Sequence, residues 1–175
     1  TQSLAAAQKT EEQAKAREHE LNIASEIQAT LLPKSIPKLK GYEIAAFYRP
    51  SKEVGGDYYD FIEIDDQNMG CVVADVSGKG IPGSMVMTMA RAVIRGEATR
   101  TLSPKEAFIK ANRVISRDIK RGMFVTACYY VLHMATRTLT VLSAGHNPLV
   151  IWRAREQKVV EINPKGIALG FDRGP

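Results

Sequence analysis

The chain has 175 residues, 45% of them hydrophobic and 25% charged, enough to bury roughly 70% of its unfolded surface around one core. Its 24 basic and 19 acidic residues leave a formal charge of +5 spread thinly along the chain; without the basic block of a nucleic-acid arm, nucleic acid is excluded as the expected partner. No apolar run approaches the roughly 20 residues that span a bilayer, and the N-terminal region lacks the apolar core of a signal peptide.

Cys71 and Cys128 sit in apolar runs without CxxC or Cys-His spacing. They read as small buried hydrophobes, and a reducing, cytoplasmic setting is the expectation. The start at Thr1, without methionine, suggests a piece of something longer.

Residues 4–31 contain no Gly or Pro and are rich in Ala, Glu, Gln and Lys, which predicts a helix ended by Pro33. Ala24, Ile27 and Leu31 share one face at its end. Two readings stay open for it: a solvated helix whose last turns dock on the domain, or a coiled-coil linker between domains or between two chains. Strand-like runs follow at Tyr42–Arg49, Tyr58–Ile64 and Met69–Asp75, the last two joined into a hairpin by the turn residues Asp65-Asp66-Gln67-Asn68.

Helices are expected from Pro82 to Thr99 and from the capping box Ser103-Pro104-Lys105-Glu106 onward. Met85, Met87 and Met89 with Ile81 read as core packing of the first. Ala107, Phe108, Ala111, Val114, Ile115 and Ile119 make an apolar face on the second. Met123–Met134, Arg137–Ser143, Leu149–Arg153 and Lys158–Ile162 read as antiparallel strands with short turns. Strands, two helices and strands again predict an α+β fold with helices packed on an antiparallel sheet.

Gly78-Lys79-Gly80-Ile81-Pro82-Gly83 matches the dinucleotide fingerprint GxGxxG literally. A Rossmann unit, however, needs a second parallel strand ending in an acid about twenty residues on, where this chain has Thr99-Arg100-Thr101. Walker A fails as well, since Val73 and Gly80 stand where Gly and Ser or Thr are required. Asp75, at the strand end before the glycines, would repel a phosphate. A divalent cation held by oxygen ligands turns that repulsion into a bridge.

A second carboxylate lies in Glu53-Val-Gly-Gly-Asp57-Tyr-Tyr-Asp60. The hairpin brings Asp57, at the start of its first strand, beside Asp75, at the end of its second. Alternation puts Asp57, Tyr59 and Phe61 on one face and Tyr58, Asp60 and Ile62 on the other, which keeps Asp60 from the same ion. The plainer alternative is turn chemistry, with Asp57 and Asp75 capping local amides.

The segments EVGGDYYD, VADVSGKGIPGSMVM, FVTACYYVLH and SAGHNP, in that order and spacing, resemble the SpoIIE/RsbU branch of the PPM metal-dependent serine/threonine protein phosphatases, over about residues 24–170. The resemblance implies a sandwich of antiparallel β-sheets flanked by helices, with a binuclear Mn²⁺ or Mg²⁺ centre at one end. It implies that Asp57 binds one ion, that Asp75 bridges both and that the Val76 carbonyl completes a site. Asp57 and Asp75 are then the catalytic pair, supporting attack of a metal-bound hydroxide on phosphoserine or phosphothreonine. The implied substrate is a phosphorylated STAS-domain anti-anti-sigma protein.

On this reading residues 1–32 form a linker helix that receives an upstream sensor domain and supports a possible homodimer, and residues 33–175 are a phosphatase domain lacking its C-terminal part. Relatives carry further metal-binding aspartates downstream, and Asp172 falls too early to match them. A rival reading is a non-catalytic module that keeps the fold to hold a phosphoprotein or another regulatory partner. His146 could serve as an acid for the leaving serine, but its Gly-His-Asn-Pro setting reads as a structural turn. Lys79 could meet the substrate phosphate or simply be a solvated loop lysine.

Overall fold

A computed structural model describes residues 2–172. The long helix α1 (Gln2–Leu31) precedes the hairpin β1 (Tyr58–Asp65) and β2 (Asn68–Val76). Two helices, α2 (Ile81–Ala98) and α3 (Pro104–Asp118), then lead to β3 (Val125–His133), β4 (Thr138–Ala144), β5 (Leu149–Arg153) and β6 (Lys158–Ile162). Strands β1-β2-β3-β4 form one antiparallel sheet in that order, and β5-β6 form a second, two-stranded one. The fold is antiparallel α+β, as the order of elements predicts.

Alternation along the strands sorts the two faces of the large sheet. Tyr58, Ile62, Val72, Ala74, Val76 and Tyr129 are buried together with Met87, Ala90 and Ile94 of α2 and with Phe108, Ala111 and Ile115 of α3. The Phe108 and Tyr129 rings stack at 5.3 Å. Pro104 opens α3 and the Ser103 hydroxyl accepts from the Glu106 amide, so the N-cap forms as expected, but the box is not closed: the Ser103 amide donates to the Thr101 hydroxyl, which in turn donates to the Glu106 carboxylate. Both cysteines are free and buried. No helix among the described residues is long and apolar enough to cross a membrane.

Four expectations change. Tyr42–Arg49 forms no strand. Its residues suit an extended backbone, but a strand needs a neighbour offering a ladder, and residues 44–49 instead line a cleft beside Tyr59 and Phe61 of the edge strand β1. On α1, Gln28 rather than Ile27 turns inward, leaving Ile27 58% exposed while Ala24 and Leu31 stay partly covered. One helical position is about 100° of rotation, enough to exchange a docked side chain for a solvated one.

Met87 is buried and Met89 packs on the core, but Ile81 and Met85 are exposed. They stand two residues before Gly83 and Met87 of the buried stripe and so about 200° around the helix. Val114 likewise flanks the buried stripe of α3 and is exposed.

Asp60 is 3% exposed on the helix-covered face, where both carboxylate oxygens accept from Arg95 at 2.7 Å and Arg91 Nε stands 3.9 Å away. A buried carboxylate is tolerated only when paired in this way. Asp60→Asn is expected to lower stability by about 1.5–3 kcal/mol, the range for a hydrogen bond to a charged group. Urea denaturation of the two proteins measures the difference.

Candidate metal centre

The site begins at the far end of the β1–β2 hairpin from its turn. At the turn, the Asp65 carboxylate accepts from the Gln67 amide at 2.8 Å and from Asn68 Nδ2 at 2.8 and 2.9 Å. These bonds hold the Asp65 carboxyl below its usual range. The ladder then runs from Glu63↔Met69 to Tyr58↔Ala74. One step further, the same register sets Asp57 opposite Asp75.

Two backbones meet closely beside that pair. The Val76 amide donates to the Gly56 carbonyl at 3.3 Å, and a Cβ on Gly56 would lie 2.9 Å from the Val76 oxygen. Glycine is required there because any side chain would wedge the strands apart. The Val76 side chain is buried in the core while its carbonyl lies against Gly56.

The Asp57 and Asp75 carboxyl groups come within hydrogen-bonding reach of each other. Partial burial, the hydrogen bond to Asp57 and the negative charge of Asp57 push the Asp75 carboxyl up to about 6, and Lys79 opposes the shift. Two like charges at such range cannot both ionise without cost, so they share a proton or a cation. The donor set is all oxygen, two carboxylates beside a backbone carbonyl, which fits Mg²⁺ or Mn²⁺ and suits neither copper nor a thiolate-bound metal. Among the described residues, no group of three or more His, Cys, Asp or Glu side chains gathers around one point.

The pair opens onto a cleft of about 630 Å³ on the face of the sheet away from the helices, lined in part by Tyr48, Tyr59, Phe61 and His146. His146 therefore sits near the carboxylates as well as in a turn. Its Nδ1 is 2.9 Å from Thr126 Oγ1, and the Thr126 hydroxyl donates to the Asp75 carbonyl at 3.3 Å. Burial holds the imidazole below its usual pKa, against the pull of the Asp57 charge.

Asp60 stays on the opposite face with Arg95. Three neighbours were given no role by the motifs, although Thr126 lies within FVTACYYVLH. Thr126 is found only from the pairing Asp75↔Thr126, and Tyr48 comes from a segment outside the ladders. Gln28 reaches Gly55 from α1; its sequence signal was a polar residue on the inner face of the last helical turns.

This sheet, with helices on one face and an acidic pair at a strand end, defines a PP2C-type fold. The SiaA PP2C domain of Pseudomonas aeruginosa matches 90% of this chain and 64% of its own length, with a TM-score of 0.72 at 22% identity. RsbX, solved in complex with magnesium, matches 70% of this chain and 57% of its own, with a TM-score of 0.55 at 19% identity. The chain belongs to the SpoIIE family, whose model, described as Stage II sporulation protein E, matches residues 65–175. The phosphoserine phosphatase RsbU of Bacillus subtilis is 30% identical over 154 residues, 88% of this chain and 46% of that protein. The chain thus spans less than half the length of the curated relatives it matches.

In the metal-free chain, Asp75 is expected to titrate near 6 by carboxyl ¹³C NMR. Asp57→Asn should bring it down toward the ordinary 3.8, and Lys79→Met should raise it further. Because the folded pKa lies above the unfolded one, this group's penalty on folding is absent below about 3.8 and complete above about 6. Its contribution to stability therefore falls as pH rises through that window.

Proposed function

We propose that this chain carries the catalytic face of a metal-dependent serine/threonine phosphoprotein phosphatase, with Asp57, Asp75 and the Val76 carbonyl as its ligands for Mn²⁺ or Mg²⁺. The observation that carries the reading is the meeting of Asp57 and Asp75 across the hairpin at the mouth of a cleft. Similarity to a phosphoserine phosphatase and the magnesium held by RsbX support it. Divalent ions bound there would supply a clamp on phosphoryl oxygens and an acidified water.

The chain's own groups do the rest. Asp57 and Asp75 bring the negative charge that would gather cations, and Asp75, acted on by both Asp57 and Lys79 of the glycine loop, would be the ligand the ions share. Lys79, whose charge already acts on Asp75, is placed to attract the incoming phosphate. The Thr126 hydroxyl bonds the Asp75 backbone and so helps keep that strand end in place. His146, held at Nδ1 beside Thr126, orders the cleft wall next to the carboxylates.

The proposed substrate is a phosphorylated STAS-domain regulator, with phosphoserine entering along the cleft. Residues 1–32 act as a linker helix for an upstream sensor domain and as a surface for homodimer formation, and residues 33–175 act as the phosphatase domain. The exposed pair Ile23 and Ile27, one helical turn apart on α1, supports the dimer.

With two carboxylates to hold the ions, residues 1–175 alone are expected to show at most marginal Mn²⁺-dependent hydrolysis of p-nitrophenyl phosphate or a phosphoserine protein. A longer form that adds carboxylate ligands should turn over readily. In that form, Asp75→Asn should cost more than the roughly 10- to 100-fold typical of outer-sphere changes. Asp60→Asn should act only through stability. Equal activity of Asp75→Asn and wild type in a metal titration would end the catalytic assignment.

A further inference from the structure

Strand β1 forms one edge of the large sheet: it pairs with β2 alone, and among the described residues no backbone hydrogen bond reaches it from another segment. Such an edge offers its outward amides and carbonyls to any strand that comes alongside. On β1 this row is interrupted at its middle. The Phe61 amide donates to Asp60 Oδ1 at 3.0 Å, and the Phe61 carbonyl accepts from Arg95 Nη1 at 3.1 Å. With both groups taken by side chains, Phe61 turns its backbone outward, and alternation turns the backbone groups of Tyr59 and Glu63 the same way.

The two capping side chains are locked to each other. Arg95 Nη1 also donates to both Asp60 oxygens at 2.7 Å, and burial fixes the carboxylate under α2. An ion pair that served burial alone would have no need of the amide and the carbonyl of one edge residue.

We propose that Asp60 and Arg95 cap the β1 edge and so close a pairing surface whose occupant is β1 of a second copy of this chain. An antiparallel pair centred on Phe61 sets Tyr59 opposite Glu63 and Phe61 opposite Phe61, and its central step uses the two backbone groups that the cap occupies. Tyr58, Tyr59, Phe61, Ile62 and Ile64 are of the aromatic and β-branched types that favour pairing. The half-buried Tyr59 and Phe61 rings, edge to face at 5.9 Å, would meet their copies across it. Like charges, Asp57 and Asp65, fall opposite each other only at the ends of this register, which confines the pairing to residues 59–63. Strand addition there would lay a second chain beside Asp57, so the cap also keeps the approach to the acidic pair clear.

The test is sedimentation of the 175-residue chain, of the double variant Asp60→Leu with Arg95→Met, and of a triple variant that adds Phe61→Pro. Leucine and methionine replace the pair with apolar groups of similar size, a change that folds often tolerate. Proline at an edge position removes the outward amide. Urea denaturation gives each folded fraction, and hydrogen exchange locates the amides that association protects. The double variant is expected to associate one step beyond the wild-type state, at a concentration at least about 10-fold below that at which wild type does so. Protection of the Tyr59, Phe61 and Glu63 amides should rise with concentration, and the triple variant should return to wild-type behaviour.

Wild-type sedimentation by a folded double variant would overturn the cap. Added association that protects amides away from β1, that persists in a folded triple variant or that only tracks the unfolded fraction would overturn it as well. Where proline unfolds the chain, exchange at those three amides in the double variant decides by itself.

Discussion

The register of the β1–β2 hairpin is the constraint on which the rest depends. Strand side chains alternate, so a slip of one residue would send Tyr58, Ile62, Val72 and Ala74 out of the core and turn their neighbours in. The same slip would separate Asp57 from Asp75. Burial of the helix-covered face and closure of the acidic pair are therefore one structural decision made twice. The Asp65 carboxylate, bonded to Gln67 and Asn68, holds the turn, and an irregularity between Glu63 and Asp65 shifts the register to the one the ladder keeps from Glu63↔Met69 onward.

Two aspartates three positions apart show how much a face decides. Asp60 points under α2 and is neutralised by Arg95, with Arg91 nearby, as a buried carboxylate must be. Asp57 stands at the strand end beside another carboxylate, Asp75, on which the loop lysine Lys79 acts without forming an ion pair as Arg95 does with Asp60. The first arrangement is complete in itself. The second retains a charge conflict, and conflicts of this kind mark functional sites because a fold keeps them only where a ligand relieves them.

The glycines beside the site serve contact as much as turning. Gly56 brings the entry to β1 against the end of β2 closely enough that Val76 exposes a carbonyl to the same locality as the carboxylates. Gly55 lets Tyr48 and Gln28 approach one peptide unit from different elements. Helix α1, the loop that follows it and the strand end are thereby joined at one point, although α1 makes few other contacts with the core.

Much of this was legible in the order of residues. Strand alternation, the Asp65–Asn68 turn, the Ser103 N-cap and the spacing of Asp57 from Asp75 across a hairpin are local or pairwise patterns, and local sterics and hydrogen bonding suffice to read them. The motifs that resemble the phosphatase family lie on those same elements.

Contacts between distant segments left no such pattern. Tyr42–Arg49 has strand composition but no ladder, because pairing depends on what lies alongside. Which of Ile27 and Gln28 faces inward turned on about 100° of helix rotation, set by where Gly55 stands. His146 read as a turn residue and is also a wall of the cleft, because the position of Thr126 beneath it follows from the β2–β3 register. Sequence by itself determined the elements and the acidic pair, since both follow from alternation along neighbouring strands. Only the tertiary structure decided what surrounds that pair, since Gln28, Tyr48, Thr126 and His146 reach it from elements whose relative placement is set by packing of the whole core.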